Sequence, residues 1–222
     1  MTSRNNTSHD NKWRDDAPNR KMPREPAWPE SICVYCGSSR GVRAEYVKAA
    51  RELGALLAER RIRLVFGGGS VGLMGVLADA VLEGGGIVTG VIPRALRTAE
   101  LAHEGLSEMI EVDSMHARKQ RMVELADGFI ALPGGIGTMD ELFETWTWLQ
   151  LGIHAKPVGL LNVDGYYDSL IAFLQQMTDC GFLKVAHRDR LLVDADATRL
   201  IERCAQYRPV VIRKSQNSGT AP

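Results

Sequence analysis

Neither sign of charge prevails in this sequence, which sets 27 Lys and Arg against 27 Asp and Glu in 222 residues. That balance leaves no overall field to draw the protein to nucleic acid or to an anionic membrane, and it points to a small ligand. No apolar run approaches the ~20 residues of a membrane span, and the polar N-terminal stretch lacks the apolar segment of a secretory signal. The expected setting is the cytoplasm. Histidine is scarce: the five residues follow no metal-ligand spacing and form no H-E-x-x-H, so no metal is expected. Cysteine is scarce too, at Cys33, Cys36, Cys180 and Cys204. Cys33 and Cys36 make a C-x-x-C without the second pair that a zinc site needs. They fall in an apolar run that reads as a strand, where their odd spacing sends the two thiols to opposite faces. Buried, structural thiols are the expectation.

What is present suits a single domain, since 45% hydrophobic residues in a chain of this length fill a sizeable core. Residues 1–29 are polar and broken by Pro18, Pro23, Pro26 and Pro29, the composition of a disordered tail. Of Trp13 and Trp28, only the second is placed to dock on the domain. The domain is expected over 30–213, with a loose polar tail over 214–222. Within it, apolar runs mark strands at 32–36, 61–66, 87–92, 109–112, 128–132, 156–162 and 190–193. Helical periodicity marks 45–60, 71–83, 114–126, 139–151, 166–179 and 195–207. Strands alternating with helices imply an α/β, Rossmann-like, doubly wound parallel sheet that binds its ligand at the carboxyl ends of the strands.

The stretch from Pro133 to Glu141, Pro-Gly-Gly-Ile-Gly-Thr-Met-Asp-Glu, joins a strand to a helix. Its glycines let the backbone turn sharply and come close to a ligand, and the amides of Gly137 and Thr138 lie at the positive end of the helix. The expected guest is a phosphate. Thr138 adds a hydroxyl, and Glu141 stands one turn in, facing whatever the turn holds.

A second glycine turn, Gly67-Gly68-Gly69-Ser70-Val71-Gly72-Leu73-Met74-Gly75, contains the G-x-G-x-x-G spacing of dinucleotide sites. The nicotinamide version needs an acidic residue at the end of the next strand, and here that strand runs into Pro93-Arg94. A nicotinamide cofactor is therefore excluded, and a nucleotide-like ligand is kept. Gly37-Ser38-Ser39, after the first strand, is either an ordinary loop or a further ligand contact. The connection over 94–105, with Glu100, His103 and Glu104, has the length of a lid or binding loop. Arg118 and Lys119 open a helix where a cation opposes the helix dipole; they are either solvated charges or a site that demands them.

Together these motifs, with Met115-His116-Ala117-Arg118-Lys119, the run from Thr147 to His154 and that from Lys156 to Tyr167, resemble the LONELY GUY (LOG) family, formerly labelled lysine decarboxylase-like. The similarity runs from about residue 31 to 195. It implies a cytokinin riboside 5'-monophosphate phosphoribohydrolase, which releases the adenine-type base and ribose 5-phosphate. On the resemblance, Arg118 and Glu141 are the catalytic pair. The implied substrate contacts are Glu100, Met115, Lys119, Gly134, Gly135, Ile136, Gly137, Thr138, Met139, Asp140 and Thr147. Gly37, Ser38, Gly68 and Gly69 join them from the other turns. Glu100 is matched by its spacing to Arg118 alone. The family often has Tyr or Phe where Ile136 stands, and Glu where Asp140 stands.

The chemistry agrees with the motifs. Breaking an N-ribosidic bond builds positive charge on the ribose, which a fixed carboxylate such as Glu141 stabilises, or it orients the attacking water. No cofactor is expected: pyridoxal phosphate, which the older label implies, needs a lysine with a pyridinium partner, and neither Lys119 nor Lys156 has an obvious one. The alternative from another class is a non-catalytic carrier of a nucleotide-like cofactor, which needs the phosphate turn but not the Arg118 and Glu141 pair. A homodimer is also expected. Trp146 and Trp148, two apart on one helix, cannot both face the core, and the resemblance implies active sites near a subunit boundary.

Overall fold

A computed structural model describes residues 28–97 and 102–209. The expected tails therefore lie outside the described residues up to residue 27 and from Lys214 onward, and so do Trp13 and Glu100. Trp28 packs against the core, with the Arg60 guanidinium 4.8 Å from its ring centre.

The strands are β1 (Ser31–Tyr35), β2 (Arg63–Phe66), β3 (Val88–Pro93), β4 (Glu108–Val112), β5 (Gly128–Ala131), β6 (Val158–Leu161) and β7 (Leu191–Asp194). The helices are α1 (Ala44–Glu59), α2 (Gly72–Glu83), α3 (Met115–Leu125), α4 (Ile136–Leu151), α5 (Asp168–Asp179), α6 (Val185–Arg188) and α7 (Ala197–Gln206). All seven strands pair in parallel in the order β4-β3-β2-β1-β5-β6-β7. The expected doubly wound sheet is what forms.

Alternation along β1 divides the core. Ile32, Val34 and Cys36 face a cluster that includes Leu53 and Leu57 of α1, Leu77 of α2 and Leu200 of α7. Cys33 and Tyr35 face the other, with Met122 of α3, Leu142 and Trp146 of α4 and Leu174 of α5. The two thiols of the C-x-x-C thus lie buried on opposite sides of the sheet. Two-sided burial is why the central strands read as continuous apolar runs.

Several boundaries depart from the periodicity by two or three residues, and two of them have a local cause. Arg61 closes α1 in the left-handed region (φ 56), so β2 begins only at Arg63. α4 begins at Ile136, one turn before its apolar period, because Gly137 and Thr138 are weak helix formers that hide its first turn. The four-residue α6 is too short to carry a period and was not expected. Trp146 and Trp148, whose spacing was expected to keep one of them off the core, both pack against the second cluster, the first buried and the second partly buried.

Candidate active site

The chain winds outward through β1, β2, β3 and β4, then returns to place β5 against the free side of β1. Connections on the two sides of that reversal leave in opposite directions and open a crevice at the carboxyl ends of β1 and β5. There the turns touch: the Gly37 amide donates to the Pro133 carbonyl at 3.1 Å, and the Leu73 amide of α2 donates to the Gly37 carbonyl at 3.0 Å. Gly134 has no room for a side chain, since a Cβ there would meet Thr138 Oγ1 at 2.0 Å and the Gly37 amide nitrogen at 2.8 Å.

A cavity of about 280 Å³ opens at this point. Cys36, Gly37 and Ser38 form one wall, Met74, Met115 and Arg118 another, and Gly135, Ile136, Gly137, Thr138, Asp140 and Glu141 the third. No side chain caps the start of α4, and its first intrahelical bond runs from the Met139 amide to the Gly135 carbonyl at 3.1 Å. The amides of Ile136, Gly137 and Thr138 therefore have no partner within the helix, and they add to the positive end of its dipole. This is an anion-binding geometry. A second cavity of about 280 Å³ shares Gly37, Ser38 and Gly135 and continues past Tyr46, Gly134 and Tyr166.

Arg118 Nη2 stands 3.4 Å from Glu141 Oε1, and the two side chains are only 13% and 11% exposed. Burial lifts the Glu141 carboxyl from the ordinary carboxylate range to about 7; Arg118 and Lys119 pull the other way, while Asp140 and Glu144 push up. The Cys36 thiol beside it is pushed far up, by burial and then by Glu141, and stays a neutral wall. Arg118 spends few of its donors: Nη1 approaches the Met115 sulfur at 3.7 Å, and buried Nε has no partner. An under-used, buried guanidinium is free to bind substrate oxygens.

The other expected site residues divide into two groups. Lys119 Nζ is held by Asp140 and Glu144, each at 3.0 Å, so it ties α3 to α4 and does not line the cavity. Gly68 and Gly69 lie under the connection that follows β3: the His103 amide donates to the Gly68 carbonyl at 2.9 Å, and Gly69 bridges to Ala102. Met139 packs into the second core cluster, and Thr147 is exposed farther along α4. Residue-by-residue reading missed Cys36 and Met74 as cavity walls. It also missed two tyrosines that hold the β5 turn: Tyr166 donates to the Gly134 carbonyl at 2.5 Å and Tyr167 to that of Leu132 at 2.6 Å. Their only signal was the position of both within the last motif.

Among the described residues, no three His, Cys, Asp or Glu side chains are grouped to hold a metal ion. No helix among them is long and apolar enough to cross a membrane.

A family model described as "Possible lysine decarboxylase" matches residues 74–204. The probable cytokinin riboside 5'-monophosphate phosphoribohydrolase LOGL9 of Oryza sativa subsp. japonica is 52% identical over 179 residues, covering 81% of this chain and 79% of that one. The cytokinin riboside 5'-monophosphate phosphoribohydrolase LOG7 of Arabidopsis thaliana is 53% identical over 179 residues, covering 80% and 82%. Among solved structures, the molybdenum cofactor binding protein of Rippkaea orientalis superposes with a TM-score of 0.59 at 22% identity, over 78% of this chain and 93% of that one. At that identity the likeness is one of fold.

Proposed function

Because this chain belongs to the LOG family, together with the curated relatives it matches over four-fifths of its length, we propose that it is a nucleoside 5'-monophosphate phosphoribohydrolase. It hydrolyses the N-ribosidic bond of a cytokinin-type or adenine nucleotide to the free base and ribose 5-phosphate. The observation that carries this reading is the Arg118–Glu141 pair, 3.4 Å apart and buried beside the uncapped start of α4.

In this reading the 5'-phosphate sits on the amides of Ile136, Gly137 and Thr138, with Gly37 and Ser38 closing over it from β1. Anchoring the phosphate there sets the ribose one turn along α4, over Glu141. As the bond to the base lengthens, positive charge grows on the ring, and the Glu141 carboxylate stabilises it. Water adds its oxygen to C1' and gives up a proton; a carboxyl with a pKa of about 7 is matched to accept it near neutral pH. The base leaves with the bonding electron pair and takes a proton. Arg118, with donors to spare, holds substrate oxygens on the anionic side. Lys119, bound to Asp140 and Glu144, fixes the spacing between the helices that carry the pair.

The active form is taken to be a homodimer in the cytoplasm. Support for the dimer comes from the end of α4, where Leu151, its last residue, is 60% exposed and Ile153, just past the Gly152 cap, is 64% exposed. The four cysteines, none of them in a disulfide, suit a reducing compartment.

The test is incubation with a panel of nucleoside 5'-monophosphates, followed by chromatography. Release of base with equimolar ribose 5-phosphate is expected from at least one adenine-type nucleotide. A panel recovered intact overturns the reading.

A further inference from the structure

The second glycine turn has the spacing of a phosphate loop, yet none of Gly67, Gly68 and Gly69 lines the cavity. Its glycines answer to different needs. Gly68 and Gly72 adopt positive φ, 76° and 66°, which only glycine enters freely. Gly67, buried at the end of β2, does not take a positive φ, so its backbone would accept any residue. Space gives the reason for it. A Cβ on Gly67 would lie 1.9 Å from Arg118 Nη2, 3.0 Å from Cζ and 3.6 Å from Nε. Carbon and nitrogen in contact keep roughly 3.5 Å apart, so the guanidinium occupies the place of the missing side chain.

We propose that Gly67 is the positioning residue for Arg118: the bare backbone at the end of β2 is the berth in which the guanidinium lies beside Glu141. Its catalytic consequence rests on the hydrolase reading above; the berth itself does not. Little else fixes this side chain. The Met115 sulfur is 3.7 Å away, Nε has no partner, and the Glu141 oxygen at 3.4 Å is beyond a good charge-assisted hydrogen bond. A long, flexible chain with so few directed bonds is held by shape. The spacing that resembles a phosphate loop thus serves a cation.

The displaced atoms are the far end of a flexible side chain, so Gly67→Ala moves Arg118 and leaves β2 in place. The experiment is a double-mutant cycle of Gly67→Ala and Arg118→Ala, read by thermal unfolding and by turnover of the best nucleotide in the panel. Gly67→Ala alone is expected to lower kcat at least tenfold with little change in KM. It should also shift the acid limb of the rate profile to higher pH, because Glu141 loses its neighbouring cation. In the Arg118→Ala background the same methyl enters vacated space, and neither melting temperature nor residual turnover should fall further. Parental turnover and pH profile in Gly67→Ala overturn the proposal, as does an equal loss of melting temperature in both backgrounds, which means that Gly67 serves the backbone. Should no nucleotide be cleaved by the parent, the hydrolase reading fails, and the melting temperatures alone still decide the berth.

Discussion

The hydroxyl of Tyr166 donates to the carbonyl oxygen of Gly134 at 2.5 Å, tying the turn that opens α4 to the connection after β6. The pair lines the second cavity, whose walls include neither Arg118 nor Glu141, so it braces the turn that opens α4 from the side away from them. Tyr166→Phe removes one hydrogen bond at a ring that is 41% exposed, where water can replace it, at a cost of about 1 kcal/mol. Steady-state kinetics should show KM for the nucleotide rising several-fold and kcat nearly unchanged. A fall in kcat with KM constant would mean that Tyr166 acts on the chemical step.

Glu141→Gln keeps shape and removes the charge that answers the developing cation. Turnover is expected to drop about a hundredfold or more with a modest change in KM, because that charge appears only in the transition state. Single-turnover release of base measures it, and parental turnover in the variant removes Glu141 from the mechanism.

The pH dependence follows from the same carboxyl. Its folded pKa of about 7 lies above its value of ~4.3 in an unfolded chain, so the folded protein binds this proton more tightly. The stability it contributes is full below about pH 4 and is lost as pH rises toward 7, on the order of 3 kcal/mol in total. The rate runs the opposite way and rises through pH 7 as the carboxylate ionises. Melting temperatures of the parent and Glu141→Gln, compared from pH 5 to 8, should show the parent losing ground to the variant up to about pH 7. A constant difference contradicts the raised pKa.

The uncapped start of α4 predicts dependence on the 5'-phosphate. Without it, the amides of Ile136, Gly137 and Thr138 hold only water, and productive binding weakens. At equal, low concentration, adenosine-type nucleosides should be cleaved far more slowly than their monophosphates. Equal rates would show that the turn holds something other than phosphate.

A charge placed just past the end of α4 tests the dimer. Ile153→Asp puts a carboxylate into the proposed contact and should lower both the dimer fraction and the activity, since the interface supports the helix that carries Glu141. Light scattering over a concentration series checks it. A parent protein that is monomeric while fully active rules the contact out.

Much of this was legible in the sequence because it is local. Strand-to-helix turns at Gly37, Gly67 and Gly134 follow from glycine after apolar runs, and the opposite facing of Cys33 and Cys36 follows from the pleat. A parallel, two-sided sheet follows from unbroken apolar strands between amphipathic helices. Charges opposed to the dipole of α3 set Arg118 and Lys119 apart without deciding between solvated charges and a site.

The rest depended on which strands became neighbours. Pairing of β5 with β1 sets Gly37 against Gly134 and closes the cavity between segments nearly a hundred residues apart, a choice made by burial over the whole sheet. The same packing gives Lys119 two carboxylate partners and sets both Trp146 and Trp148 against the second core cluster. It also converts Gly67 from a phosphate-loop residue into the berth of Arg118 in our proposal. Spacing along a chain fixes backbone conformation, but the atoms that occupy the space beside a glycine belong to whichever element the fold brings there.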